Sequence, residues 1–539
     1  MTFGTTLALV SLLLILVQVI DIAVRQVIGD FLRNSGNESL AWDGLPASAQ
    51  DVLLVVPVIV VGLESVEAAL NCLERNIAAD RDFALPVALV TDMFDSRTRE
   101  HPLDAHILAK LVDGLEAISH KHLNDVYLLH RERTWNPGER VWMGWERKRG
   151  KLLDLNRFLM GEEVQSLQLL VGERAGLAKV SKVITLDVDA TLQSGGCSAL
   201  SRRLDEIMAS EGDRRTCILQ PLPCACIIGD EPGSLFERMQ CAPLSATVEG
   251  AAFDPYQHFF SQGSFYGKGI YQVKQFHEAA VRAAPANLLL SHDILEGALA
   301  GSQMCCDIKI YEPVPGSLRA DLRRRHRWTR GDWQLAPYLF LPLPARFSPF
   351  VVPKLSGLSK WKLLDNLRRS LTPIAFTYGY FYAAVAIGNA SLLAIILFAS
   401  ALSELIAYSR LIIRATTERR HTGLLGDLWL LACRSAVLIA LTPTAAWISV
   451  NAIATAIWRL YVSKQGLLEW EPYGDPRQNA QGALLKRCAI VIPSVATAVF
   501  LYSLVVYCQR EFSVGVYIVL FAWVFSPMVL CLERRPKEG

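Results

Sequence analysis

A chain of 539 residues has room for several domains. Its 54 lysines and arginines nearly cancel 52 acidic side chains, a formal charge of +2, so a nucleic-acid partner has no electrostatic support. Hydrophobic residues make up 52% and mean hydropathy is +0.27, too apolar for a wholly soluble protein.

The apolar excess lies in the first 30 or so residues and beyond about residue 370. Leu7 to Val24 is long enough to cross a bilayer. No Lys or Arg precedes it and no small-residue cleavage site follows, so an uncleaved membrane helix within residues 1–30 is expected rather than a signal peptide. A linker over 31–50 leads to Asp51-Val-Leu-Leu-Val-Val-Pro-Val-Ile-Val60, too short to span and rich in β-branched residues: a buried parallel strand.

Helical patterning follows over 64–78, then a strand over 83–90 ending at Thr91-Asp92, a helix over 101–119 and a strand over 125–129. A basic, glycine-containing turn, Trp145 to Lys151, precedes a helix expected over 151–159; it reads either as a solvated basic loop or as a turn whose charge, with helix N–H groups, neutralises phosphate. A further strand, Lys182 to Leu186, runs into Asp187-Val188-Asp189. Strands alternating with helices predict an α/β domain over 51–345 with a doubly wound, mainly parallel sheet, whose ligands bind beyond the carboxyl ends of the strands. Asp92, Asp95, Asp187 and Asp189 all fall at such ends.

After an interfacial segment over 346–370, the region 371–539 reads as several membrane helices, with apolar runs at 372–388, 391–409, 428–457, 488–508 and 513–532. The third run is long and interrupted at Thr442-Pro443, which suits a re-entrant or interfacial segment. On that reading the basic clusters at Arg410–Arg420, Arg459–Arg487 and Arg534–Lys537 all lie on the cytoplasmic side. The 12 cysteines lack zinc-site spacing and read as reduced thiols.

Two carboxylates one residue apart on the loop leaving a strand offer hard oxygens to Mg²⁺ or Mn²⁺ and, through it, to a diphosphate. Ser291-His292-Asp293 ends a short apolar run, which presents Asp293 as a general base or as a helix N-cap, with His292 a hydrogen-bonded core residue. Arg327-Trp328 and Asp332-Trp333-Gln334 follow. Trp328 suits stacking on a sugar, and Trp333 either extends that platform or anchors the chain at a membrane interface.

The ordered set resembles membrane-bound family-2 glycosyltransferases, and longer segments narrow the likeness. WMGWERKRGKLLDLN (142–156), ITLDVDATL (184–192), QGSFYGKGIYQV (262–273), LLLSHDILEGALAG (288–301), HRWTRGDWQLAPYL (326–339), WKLLDNLRRSLTPIA (361–375) and WRLYVSKQGLLEW (458–470) resemble the glycosyltransferase module of bacterial cyclic β-1,2-glucan synthases. The resemblance implies a GT-A-type nucleotide-sugar domain in the cytoplasm, in a multi-pass protein of the bacterial inner membrane. It implies UDP-glucose as donor, a glucan acceptor, Mg²⁺ or Mn²⁺, and elongation of a β-1,2-linked glucan with inversion. By position, Asp187 and Asp189 bind the metal–diphosphate, Asp92 or Asp95 the uridine, Lys151 and Arg327 the phosphates, and Trp328 the acceptor sugar, while Asp293 is the base.

Arg324 replaces the Gln of the family's Gln-x-x-Arg-Trp, Gln262 stands where a Glu is usual, and Glu471-Pro-Tyr-Gly-Asp-Pro476 breaks the pattern after Trp470. The family's fused phosphorylase-like region is expected to be missing beyond Gly539. That predicts a linear product and a separate phosphorylase or export protein as partner. The competing expectations are a synthase that secretes a different β-linked polysaccharide through its own helices, and a non-catalytic membrane scaffold.

Overall fold

The computed structural model describes residues 3–25, 49–210, 216–227, 233–247, 254–417, 424–470 and 488–533. Most of the 31–50 linker, Arg419, Arg420, Glu471 to Pro476, Lys486, Arg487 and the basic tail from Arg534 lie outside the described residues.

The strands are β1 Val52–Val60, β2 Val87–Met93, β3 Val126–Arg131, β4 Thr134–Asn136, β5 Val141–Met143, β6 Leu167–Val171, β7 Lys182–Thr185, β8 Thr191–Leu192, β9 Ile218–Cys226, β10 Gly269–Gln272 and β11 Ser302–Pro313. The helices of the α/β region are α2 Leu63–Ala79, α3 Asp104–His122, α4 Arg147–Leu159, α5 Gly196–Ser210, α6 Leu235–Thr247, α7 Pro255–Phe260, α8 Val273–Ala283, α9 Asp293–Ala300 and α10 Leu318–Gln334. The apolar helices are α1 Phe3–Ala23, α11 Gly357–Phe381, α12 Ala390–Thr417, α13 Leu424–Trp458, α14 Ile492–Tyr507 and α15 Val514–Val524.

Nine strands form one sheet in the order β6-β3-β2-β1-β7-β10-β9-β11-β8. The expected parallel core is β3-β2-β1-β7. β6 and β10 add antiparallel, and β9 and β11 pair in parallel beyond β10, so the sheet is mixed. Successive side chains of a strand face opposite ways. Val52, Leu54 and Val56 of β1 therefore join a core with α2, α3 and α5, while Leu53 and Val55 join a second core with α4 and α8. A strand covered on both faces must be apolar throughout, which is why β1 reads as an unbroken hydrophobic run.

Among the described residues five helices are long and apolar enough to cross a membrane: Gly4–Ala23, Gly357–Ile387, Ala390–Ile413, Leu424–Ser463 and Ala489–Tyr507. Val514–Val524 and Ser526–Leu532 make a sixth if the pair, bent by 50°, is one span. The polar flaws in the first span have a purpose: Arg368 of α11 donates to Gln18 at 2.7 Å and reaches Asp21 at 3.5 Å. The 428–457 run is not a broken pair. One helix passes through Pro443, and it touches the α/β region through Arg434 to the Met239 carbonyl and through Asn451 to His326. Those contacts are separated by about 25 Å of helix axis, so α13 runs alongside that region.

Candidate active site

β1 lies between β2 and β7, where the strand order reverses, and a ligand crevice forms at such a switch point. A cavity of about 1510 Å³ opens there, lined by the end of β1 and by Asp187, Asp189, Asp293, Arg327, Trp328 and Trp470. Single ligand pockets are commonly about 300–1,000 Å³, so this one has room for a nucleotide sugar and an acceptor together.

Asp187 receives two ammonium groups, Lys148 at 2.6 Å and Lys268 at 3.0 Å. Burial alone would raise its pKa, but these cations hold it well below the usual carboxylate range. Lys148 also donates to the Gly267 carbonyl at 2.7 Å, and Lys268 bridges to Glu312 at 3.1 Å. Asp189 has no ion pair among the described residues, and burial together with the Asp187 charge pushes its pKa up to about 6. A carboxylate pair with one member lacking a cation fits a divalent ion. Mg²⁺ and Mn²⁺ favour such oxygen donors, and Mg²⁺ in particular is usually held by one or two carboxylates plus substrate phosphates.

Asp293 is the first residue of α9, following His292. His292 Nδ1 lies 2.7 Å from Glu296 Oε2 and 3.6 Å from Asp293 Oδ1. Burial would lower the His292 pKa, but Glu296 and Asp293 raise it. His292 is therefore partnered by Glu296, one helical turn on. Asp293 Oδ1 is buried and accepts no hydrogen bond among the described residues. It is packed against Gly267, where φ is +78° and a Cβ would come within 2.6 Å of that oxygen.

Trp328 is 50% exposed, with the Arg324 guanidinium 4.8 Å from its ring centroid. Arg327 lies over Trp470 at 5.8 Å. Trp333 points away from these groups: its indole donates to Ser370 Oγ at 2.9 Å, and it does not line the cavity.

Of the remaining candidates Lys151 borders the same cavity, whereas Asp92 and Asp95 do not line it. Asp92 is 1% exposed and takes Arg131 Nε at 2.7 Å, Arg131 NH2 at 2.9 Å and Lys151 at 3.0 Å. Against burial, the charges of Arg131 and Lys151 lower its pKa to about 2. Burial lowers that of Lys151 to about 8, and Lys151 also donates to the Val58 carbonyl at 3.0 Å. Asp95 is gripped by Arg147 at 2.5 and 2.7 Å. The expected basic turn is instead helical from Arg147 onward, a turn earlier than 151, because Leu152, Leu153 and Leu155 need a helix to reach the core. That puts Lys148 on Asp187 and buries Lys151. Lys268, Glu312 and Gly267 were not singled out from the sequence; the nearest signal was the Tyr-Gly-Lys-Gly stretch at 266–269.

Carboxylates, lysines and tryptophans thus line one cavity. Comparison with known proteins gives the class. No family model matches the chain. It is 32% identical over 470 residues to the cyclic beta-(1,2)-glucan synthase NdvB of Rhizobium meliloti (strain 1021), covering 82% of this chain and 16% of that protein. This match supports a glycosyltransferase module of the glucan-synthase kind and agrees with the resemblance carried by the motifs. The chain thus spans about a sixth of that relative's length. Among solved structures, mannosyltransferase PcManGT from Pyrobaculum calidifontis, in complex with GDP-Man and Mn²⁺, aligns over 83% of this chain and 99% of its own, at 15% identity and a TM-score of 0.33.

Proposed function

We propose that this chain is an inverting GT-A-type glycosyltransferase that takes glucose from UDP-glucose and adds it to a β-linked glucan, with β-1,2 linkage. One observation carries the transferase reading: Asp187, Asp189, Asp293, Arg327 and Trp328, from three separate segments, line a single cavity. The relative supports glucose and the linkage.

In this reading an acceptor hydroxyl gives its proton to Asp293 while its oxygen bonds to the anomeric carbon from the face opposite the diphosphate. The bond from that carbon to the diphosphate oxygen breaks, and UDP leaves. General-base assistance of this kind contributes about 10²–10⁴-fold. Mg²⁺ or Mn²⁺, held by Asp187 and Asp189, supplies neutralisation of the departing diphosphate. Lys148 and Arg327 add cationic contacts to the phosphates, and Trp328 stacks on the acceptor. Asp92, Asp95 and Lys151 act as the frame beneath the donor rather than as its contacts. The apolar helices embed the protein in the bacterial inner membrane with this domain in the cytoplasm.

Adding UDP-glucose, Mg²⁺ and a short glucan to the purified full chain should release UDP, and linkage analysis of the labelled product should show 1,2-linked glucose. No UDP release with any acceptor sinks the transferase reading, and another linkage sinks the β-1,2 assignment alone.

A further inference from the structure

Most of the protein's buried carboxylates have a cationic partner, Asp80 being held instead by the backbone N–H groups of Cys197 and Ser198. Asp92 has Arg131, Glu146 has Arg149, Asp365 has Arg368, Asp321 has Arg325 and Glu296 has His292, each within 3.0 Å. Asp332, which is partly buried, has no ion pair among the described residues, and its carboxyl's one hydrogen bond comes from Asn366 Nδ2 at 3.5 Å. Burial pushes its pKa up to about 7, so near neutrality it can both donate and accept. It also lines the large cavity, so a carboxyl that lacks a cationic partner borders the space where a ligand would lie.

Its position suggests which ligand. Asp332 follows Trp328 by four residues on α10, which puts both on one helix face, about 6 Å apart along the axis. A hexose ring advances a glucan chain by a similar length. Beside Asp332, α11 presents Asn366 and Arg369 to the cavity, Arg369 being also paired with Asp365 at 2.7 Å. Trp328 is an apolar floor. Asp332, Asn366 and Arg369 are a fence of donors and acceptors, and ring hydroxyls need both.

We infer that Asp332, with Asn366 and Arg369, forms a second acceptor subsite, holding the sugar one unit behind the ring stacked on Trp328. The inference rests on the acceptor role given to Trp328 above, and it adds that the enzyme senses at least two rings of its acceptor.

The test is equilibrium binding of β-1,2-gluco-oligosaccharides of one to four rings to the full-length protein in the presence of UDP, so that no transfer occurs. The wild type should bind two rings at least about tenfold more tightly than one, the gain expected of a hydrogen bond to a polar group of this kind. Asp332→Ala should lose that step, so that one and two rings bind alike. Asp332→Asn, which keeps volume and hydrogen bonding, should retain part of it. Asn366→Ala should shrink it and serves as a second probe if Asp332→Ala no longer binds UDP. A full step in both alanine variants overturns the subsite. A wild type that binds UDP but no oligosaccharide overturns the subsite and the acceptor role of Trp328. A wild type that neither binds UDP nor releases it from UDP-glucose removes the transferase reading itself.

Discussion

Asp92 and Asp187 occupy equivalent places, just beyond or at the carboxyl ends of strands on either side of β1, and each is met by a lysine from α4. Yet one group is closed and the other open. Asp92 is enclosed by Arg131 and Lys151, and Arg131 is itself held by Asp154 at 3.0 Å, so every charge is matched internally. At the other end Asp187 has two lysines, but Asp189 and Asp293 face the cavity without a cation bonded directly to either, apart from the 3.6 Å approach of His292. Matched buried charges fix a fold, whereas unmatched ones in a cleft mark the place where a ligand completes the set.

The sharpest way to break this contrast is at the open end. Asp293→Asn keeps shape but removes the proton acceptor, so kcat should fall by about 10²-fold or more with UDP binding retained. Asp189→Ala should abolish transfer and the response to Mg²⁺ or Mn²⁺ while the protein stays folded. Full activity of either variant, or of the wild type in excess chelator, would place the chemistry elsewhere.

At the closed end the expected loss is of stability. Arg131→Met leaves Asp92 and Asp154 buried with too little positive charge, and breaking such a pair costs about 3–5 kcal/mol; a thermal unfolding curve should shift accordingly. Lys148→Ala, three residues before Lys151 on the same helix, should leave that curve in place and raise the KM for donor by about tenfold, the weight of a lost charged hydrogen bond. If Lys148→Ala unfolds the protein and Arg131→Met only weakens donor binding, the assignment of the two groups is reversed. Acid should separate them too. The folded-state pKa of Asp92, about 2, lies below its unfolded value, so its contribution is complete above pH 4 or so and is lost as pH falls toward 2. Tryptophan fluorescence should report the domain intact at pH 4, and collapse already at that pH would contradict the network.

How much of this could be read beforehand follows from which interactions are local. β1 is legible because both its faces are buried, and the Asp187-Val188-Asp189 turn because a strand leads straight into it. β8 and β10, with two and four residues, are too short for a period to show, and β9 carries two prolines in its nine residues, so these strands beyond β7 are not legible in the sequence. The 146–151 segment was legible as basic but not as helix, and a shift of one turn decides which lysine meets which aspartate. Asp332 was visible only as a neighbour of Trp333. That its neighbour is Asn366 and not a cation depends on α11, more than thirty residues away.

The smallest expected effect lies on α10, where two tryptophans five residues apart repeat the contrast between open and closed. Trp333 donates to Ser370 Oγ, which in turn donates to the Leu367 carbonyl at 2.6 Å. Trp333→Phe removes the N–H but keeps an aromatic ring, and the Ser370 hydroxyl still has its acceptor, so no buried donor is stranded. The cost should be that of one neutral hydrogen bond, about 0.5–1.5 kcal/mol, seen as a slightly lower unfolding temperature. Because the indole is turned toward α11, the acceptor KM should not move. Trp328→Ala, by contrast, removes the exposed face on which the acceptor would stack and should raise that KM with little change in stability. A Trp333→Phe variant with normal stability and a KM for glucan raised about tenfold would show that the second tryptophan also serves the acceptor, and the cavity would then have to be redrawn to include it.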